Sequence, residues 1–138
     1  MRIMGLDVGE RTIGVALSDP LGWTAQGLTT VWRGNLDKDL LALGKIISEY
    51  QVERILIGLP LNMNGSKGPS ARAAEELGRA AGEAFALEIL YWDERLSTKA
   101  VERVLLDGDV SRRKRKKVVD KLAAAYILQG YLDSLKNV

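Results

Sequence analysis

With 138 residues, 46% of them hydrophobic, the chain is long enough for one ordinary core and too short for two, so a single domain over residues 1–138 is expected. Its formal charge is +2, and it contains no cysteine and no histidine. Those two absences exclude disulfides, thiolate and imidazole metal ligation, and Ser-His-Asp or Cys-His catalysis. Any chemistry has to use carboxylates, lysine, hydroxyls or an oxygen-ligated metal ion. No apolar run approaches the ~18 residues of a membrane span, and "MRIMGLDVG" lacks the features of a signal peptide, so the expected location is cytoplasmic.

"RIMGLDV" and "TIGVALSD" are short apolar runs separated by "GER", the pattern of a hairpin, and "GLTTVWR" (27–33) supplies a third strand. In "KDLLALGKIISEY", Leu40, Leu43, Ile47 and Tyr50 recur at helical spacing, with Asp37 as the expected N-cap. "RILIGLP" (54–60) reads as a strand buried on both faces and stopped by Pro60. The turn-rich "LNMNGSKGPS" (61–70) leads into an Ala-rich helix, "ARAAEELGRAAGEAFA", whose expected buried stripe is Ala73, Leu77, Ala81 and Ala84. Gly78 and Gly82 weaken that helix, so close packing is expected around them. "LEILYW" is the next strand. A helix over about 98–107 and a last helix over about 116–135 complete the chain, the latter with Val119, Leu122, Ala123, Tyr126, Ile127 and Leu135 facing inward. An antiparallel start followed by alternating strands and helices implies an α/β fold, with a mixed sheet flanked by helices.

Charge is unevenly spread. Residues 112–117 read "RRKRKK", and removing those six from the 20 basic residues leaves 14 against 18 acidic ones, a net of −4. The basic character is local, as in a contact patch for a polyanion, although the same run also reads as a solvated loop. Lys67, with Gly65 and Gly68 ahead of a helix N-terminus, makes a phosphate cradle or an ordinary surface loop.

Three acids interrupt otherwise apolar surroundings: Asp7 in "GLDVG", Glu94 after the strand "LEILYW", and Asp120 in "VVDKLAAA". Each has a structural alternative. Asp7 can satisfy turn donors, Glu94 can pair with Arg95, and Asp120 in a first helical turn would be favoured by the helix dipole. Ala123 and Ala124, one turn beyond Asp120, allow that helix to approach the sheet closely enough to bring the three carboxylates together. Such a cluster repels itself unless cations neutralise it, and Mg²⁺ or Mn²⁺, with all-oxygen ligation, is the natural partner for phosphodiester chemistry. Trp92 reads as a core residue.

"GLDVGERTIGVALSD" (5–19), "LIGLPLNMNGS" (56–66), "WDERLSTKAVE" (92–102) and "VDKLAAAYILQGYL" (119–132) closely resemble, in order and spacing, the YqgF family, also called RuvX. The resemblance covers nearly the whole chain. It implies an RNase H-like fold, with a central mixed five-stranded sheet made of a three-strand antiparallel meander plus two parallel strands, flanked by helices. It implies a divalent-metal-dependent nuclease whose catalytic and metal-holding acids are Asp7, Glu94 and Asp120. It also implies processing of the 5′ end of pre-16S rRNA in ribosome biogenesis, with Holliday junction resolution in some members. The sequence departs from the related RuvC pattern where many such enzymes carry a fourth acid, since Ala123 and Ala124 stand one turn beyond Asp120.

Nucleic acid, as structured RNA or branched DNA, is the expected partner. Arg95 and Lys99 beside Glu94, together with Lys67, Arg112, Arg113, Lys114, Arg115, Lys116 and Lys117, are the expected contacts. Cutting a four-way junction needs two active sites and hence a homodimer, whereas single-strand processing does not. The alternative function is a non-catalytic nucleic-acid-binding module assisting ribosome assembly. "LDVGERTIGVA" also resembles the phosphate hairpin of sugar-kinase and actin-like ATPases, but 138 residues supply only half of that duplicated fold.

Overall fold

A computed structural model describes residues 1–93 and the helix of residues 112–136, with side chains given for 1–93 and 120–135. In chain order the elements are β1 (Ile3–Val8), β2 (Thr12–Ser18), β3 (Ala25–Trp32), α1 (Leu36–Tyr50), β4 (Arg54–Leu59), α2 (Pro69–Phe85), β5 (Glu88–Asp93) and α3 (Arg112–Lys136). The expected helix over 98–107 lies outside the described residues.

The five strands form one mixed sheet in the order β3-β2-β1-β4-β5. β1, β2 and β3 make the expected antiparallel meander, and β1, β4 and β5 run parallel. The first hairpin closes through Gly9 N–H donating to the Thr12 carbonyl at 2.8 Å. The second turn is built by Asp19, whose Oδ1 accepts from the amides of Trp23 (2.6 Å) and Thr24 (2.9 Å). The hydrogen bond from the Thr24 amide leads in lowering the pKa of the Asp19 carboxyl below the usual value.

Strand alternation divides the core into two layers. On one face Met4, Leu6, Val8, Ile13, Val15, Ile55 and Ile57 meet Leu43 of α1 and Ala74, Leu77 and Ala81 of α2. On the other, Ile3, Ala16 and Leu56 meet Ala124, Ile127, Leu128 and Leu132 of α3. The interior strand β4 is apolar on both sides because helices cover both, and Ile55, Leu56 and Ile57 have no exposed surface.

Several local expectations are corrected. Asn35, not Asp37, caps α1: its side chain accepts from the Lys38 amide, and Asp37 sits in the first turn. The buried stripe of α2 is Ala71, Ala74, Leu77, Gly78 and Ala81, with Ala73 half-buried and Ala84 exposed. The register shifts because Gly78, lacking a side chain, faces the sheet. A Cβ there would lie 2.3 Å from the Tyr91 hydroxyl, and one at Gly82 would lie 3.1 Å from Ile89, so the close packing expected at both glycines is present.

α3 begins at Arg112, four residues earlier than expected, so the cationic run is helical backbone and not a loop. Its buried residues are Ala123, Ala124, Ile127, Leu128 and Leu132, whereas Tyr126 and Leu135 are about half exposed. Trp92 packs edge-on against Tyr131, with ring centroids 6.0 Å apart, as a core residue should. No helix among the described residues is long and apolar enough to cross a membrane.

Candidate carboxylate site

Asp7 lies near the end of β1, and its facing follows from the alternation of that strand. Ile3 belongs to the layer beneath α3, and a Cβ on Gly5 would touch Leu128 of α3. Period two then puts Asp7 on the same face, opposite the α1–α2 layer that takes Met4, Leu6 and Val8. In the antiparallel ladder Asp7 pairs with Gly14 of β2.

Gly14 is where α3 comes down. A Cβ at Gly14 would lie 1.9 Å from the carbonyl oxygen of Asp120 and 2.4 Å from its carbonyl carbon. Only a residue without a side chain admits helix backbone at that distance. Paired residues of antiparallel strands have Cα atoms ~4.5–5.5 Å apart, so Asp7 and Asp120 occupy adjoining positions around one glycine. Gly27 of β3 continues the contact, since a Cβ there would lie 3.1 Å from the Lys121 carbonyl oxygen. Three glycines on three neighbouring strands, Gly5, Gly14 and Gly27, thus floor a trough in which α3 rests.

Thr12 completes the described part of the site. It is 2% exposed, shares the face of Gly14 by alternation, and donates its hydroxyl hydrogen to Asp120 Oδ2 at 2.5 Å. Asp120 and Asp7 are themselves half-buried. Asp120 stands eight residues into α3, so the helix dipole of a first turn does not account for it.

Of the remaining expected site residues, Glu94, Arg95 and Lys99 lie outside the described residues. The strand preceding Glu94 ends at Asp93, which pairs with Leu59. Arg112, Arg113, Lys114, Arg115, Lys116 and Lys117 form the opening turns of the helix that carries Asp120. Lys67 is bound to Glu75 at 2.9 Å. Its loop is held by its own polar groups: Asn62 Nδ2 donates to Ser66 Oγ, and Ser66 N–H donates to Asn64 Oδ1.

Thr12 and Gly14 were not anticipated from sequence, nor was an ion pair beside them whose carboxylate is buried. Asp39, 1% exposed, accepts from Arg33 Nε at 3.2 Å and from the Gly34 amide at 2.9 Å. Arg33 Nη1 also donates to the Gly9 carbonyl at 3.0 Å, which fixes the turn that follows Asp7. A cleft of about 380 Å³ lined by Val8, Gly9, Glu10, Arg33, Pro69, Ser70 and Ala73 opens next to that turn. The signal for Thr12 was present: in "RTIGVAL" the polar or small residues Thr12 and Gly14 alternate with Ile13 and Val15.

Among the described residues no group of three acidic side chains is placed to hold a metal ion. The described contribution is a pair of carboxylates with one hydroxyl. This oxygen-only set, in a chain without imidazole or thiol, suits a hard divalent cation.

The chain is 58% identical over 137 residues to a protein of Clostridium botulinum named "Putative pre-16S rRNA nuclease", a match covering 99% of this chain and 100% of that one. A protein of Desulforamulus reducens bearing the same name is 61% identical over 134 residues, covering 97% and 98%. Among solved structures, RuvC of T. thermophilus in complex with a Holliday junction substrate superposes with a TM-score of 0.61 at 12% identity, covering 99% of this chain and 96% of RuvC. The Fowlpox virus resolvase bound to Holliday junction DNA gives 0.59, also at 12% identity, covering 98% and 99%. These likenesses establish the RNase H-like fold expected from the motifs. The family model of RuvX, described as Holliday junction resolvase, matches residues 1–134, and the chain belongs to that family.

Proposed function

We propose that this chain is a single-domain, divalent-metal-dependent nuclease that hydrolyses phosphodiester bonds, processing the 5′ end of pre-16S rRNA. The observation that carries the reading is the descent of α3 onto Gly14, which sets Asp120 beside the strand position of Asp7. The names of the full-length relatives support the nuclease activity and the RNA substrate. The family description supports four-way junctions as the competing substrate.

Asp7 and Asp120 would hold Mg²⁺ or Mn²⁺, with Glu94 as the third acid of the set. When bound there, such an ion would activate water and add positive charge near the scissile phosphate. The protein's own part is to fix these carboxylates on strand and helix backbone, and to present the cations of Arg112 to Lys117, with Arg95 and Lys99, to the phosphate backbone of the substrate.

The test is cleavage of precursor rRNA, four-way junctions and plain duplex under one Mn²⁺ condition, by the wild type and Asp7→Asn. Losing one metal-holding carboxylate removes several kcal/mol of transition-state stabilisation, an expected fall of about 100-fold or more. Undiminished cleavage by Asp7→Asn would refute the mechanism. Tight binding without cleavage of any substrate by the wild type would favour a non-catalytic binding module. Preferred cleavage of the junction, together with a dimeric solution mass, would exchange RNA for branched DNA.

A further inference from the structure

The hydroxyl of Thr12 has no need of Asp120 to fold a strand. The Thr12 side chain is buried, and its Oγ1 points across to the carboxylate on α3, 108 residues away in sequence. The same residue accepts the Gly9 amide through its carbonyl and so closes the turn that follows Asp7. One residue is therefore bonded both to the turn beside one candidate acid and to the carboxylate of the other.

The type of partner matters. Among the residues whose side chains are described, 1–93 and 120–135, no cation forms an ion pair with Asp120. A lysine or arginine there would orient the carboxylate but also neutralise it and compete with a metal ion. A neutral hydroxyl restricts the carboxylate while leaving its negative charge and its other lone pairs in place. The β-branch of threonine adds stiffness, because χ1 of a β-branched side chain in a strand has few choices.

We infer that Thr12 is a positioning residue, whose hydroxyl holds the Asp120 carboxylate in the one orientation that receives a divalent cation. The inference rests on the metal-holding role of Asp120 given above. Groups that orient a metal ligand from behind typically change metal affinity by about 10–100-fold when removed.

The experiment measures Mn²⁺ affinity by calorimetry on the full chain, together with thermal unfolding of the metal-free protein. The proteins compared are wild type, Thr12→Val, Thr12→Ser and Asp120→Asn. Thr12→Val keeps the shape and the β-branch, and is expected to weaken Mn²⁺ binding by about 10-fold or more without lowering the metal-free melting temperature. Thr12→Ser keeps the hydroxyl and is expected to bind within about threefold of wild type. Should Thr12→Val not fold, Thr12→Ala makes the same comparison against Thr12→Ser.

Equal Mn²⁺ affinity in Thr12→Val and wild type, with affinity lost in Asp120→Asn, overturns the role of Thr12 and leaves the metal site standing. Unchanged affinity in Asp120→Asn overturns the metal-holding role itself, and the inference with it. A fall in Thr12→Val that Thr12→Ser shares equally overturns the hydroxyl as the cause.

Discussion

One absent methyl group at Gly14 lets Asp120 stand where it does. Any side chain there meets the Asp120 carbonyl at 1.9 Å, and because the obstructing atom is backbone, no rotamer change relieves it. Gly14→Ala is therefore expected to lift α3 off β2, at a cost of about 1–3 kcal/mol in urea unfolding, and to weaken Mn²⁺ binding with it. A variant as stable as wild type and equal in metal affinity would contradict the close seating. Asp39 shows the complementary case of a residue whose role is hidden in sequence. Nothing in "DKDLLAL" sets it apart, yet the fold buries it against Arg33 and Gly34. Its partners lie on the far side of a turn, and helical periodicity carries no information about that turn.

The contacts between α2 and the sheet are set by which positions lack side chains. Gly78 sits under the Tyr91 hydroxyl, which donates to the Glu75 carbonyl at 3.4 Å, and burial, with the nearby Glu75 charge, raises the tyrosine pKa. Gly78→Ala gains up to about 1 kcal/mol of helix propensity but forces the new methyl into that hydroxyl, an overpacking cost of about 1–3 kcal/mol. A net loss of stability is expected, and Tyr91→Phe in the same chain should recover most of it. A double variant no more stable than Gly78→Ala alone would show that Ile57, 2.9 Å from the same position, sets the limit instead. The elements were legible because their periodicities are strong: all five strands and the described helices fall where alternation or helical spacing put them. Their ends were not. Asp37 and Asn35 are both chemically able to cap α1, and only backbone conformation chooses Asn35. The first turns of α3 carry no apolar residue at all, so hydrophobic spacing could not register them as helix.

Across the whole molecule, the cationic run and one of the candidate acids share one element. The strands run six to eight residues, whereas α3 runs 25, about 37 Å at 1.5 Å per residue. The eight helical residues before Asp120, which include the six cations, span about 12 Å of that length. Nucleic acid gripped by those turns would raise the salt dependence of binding, each phosphate contact adding about 0.7–0.9 to the logarithmic slope. Lys116→Gln with Lys117→Gln is expected to flatten the slope by about 1–2. An unchanged slope would remove this stretch from the binding surface. The site as a whole was half visible in sequence. Asp7 and Asp120 interrupt apolar runs and so announce themselves, whereas Thr12 and Gly14 look like ordinary strand residues until the helix is laid across them.

The trough beneath α3 has a mechanical corollary. A helix cushioned by long side chains absorbs a push through small rotamer adjustments, but one bedded on Gly5, Gly14 and Gly27 bears directly on main chain. A displacement of the helix at these three positions would thus be passed to the strands beneath Asp120 with little side-chain give to soften it.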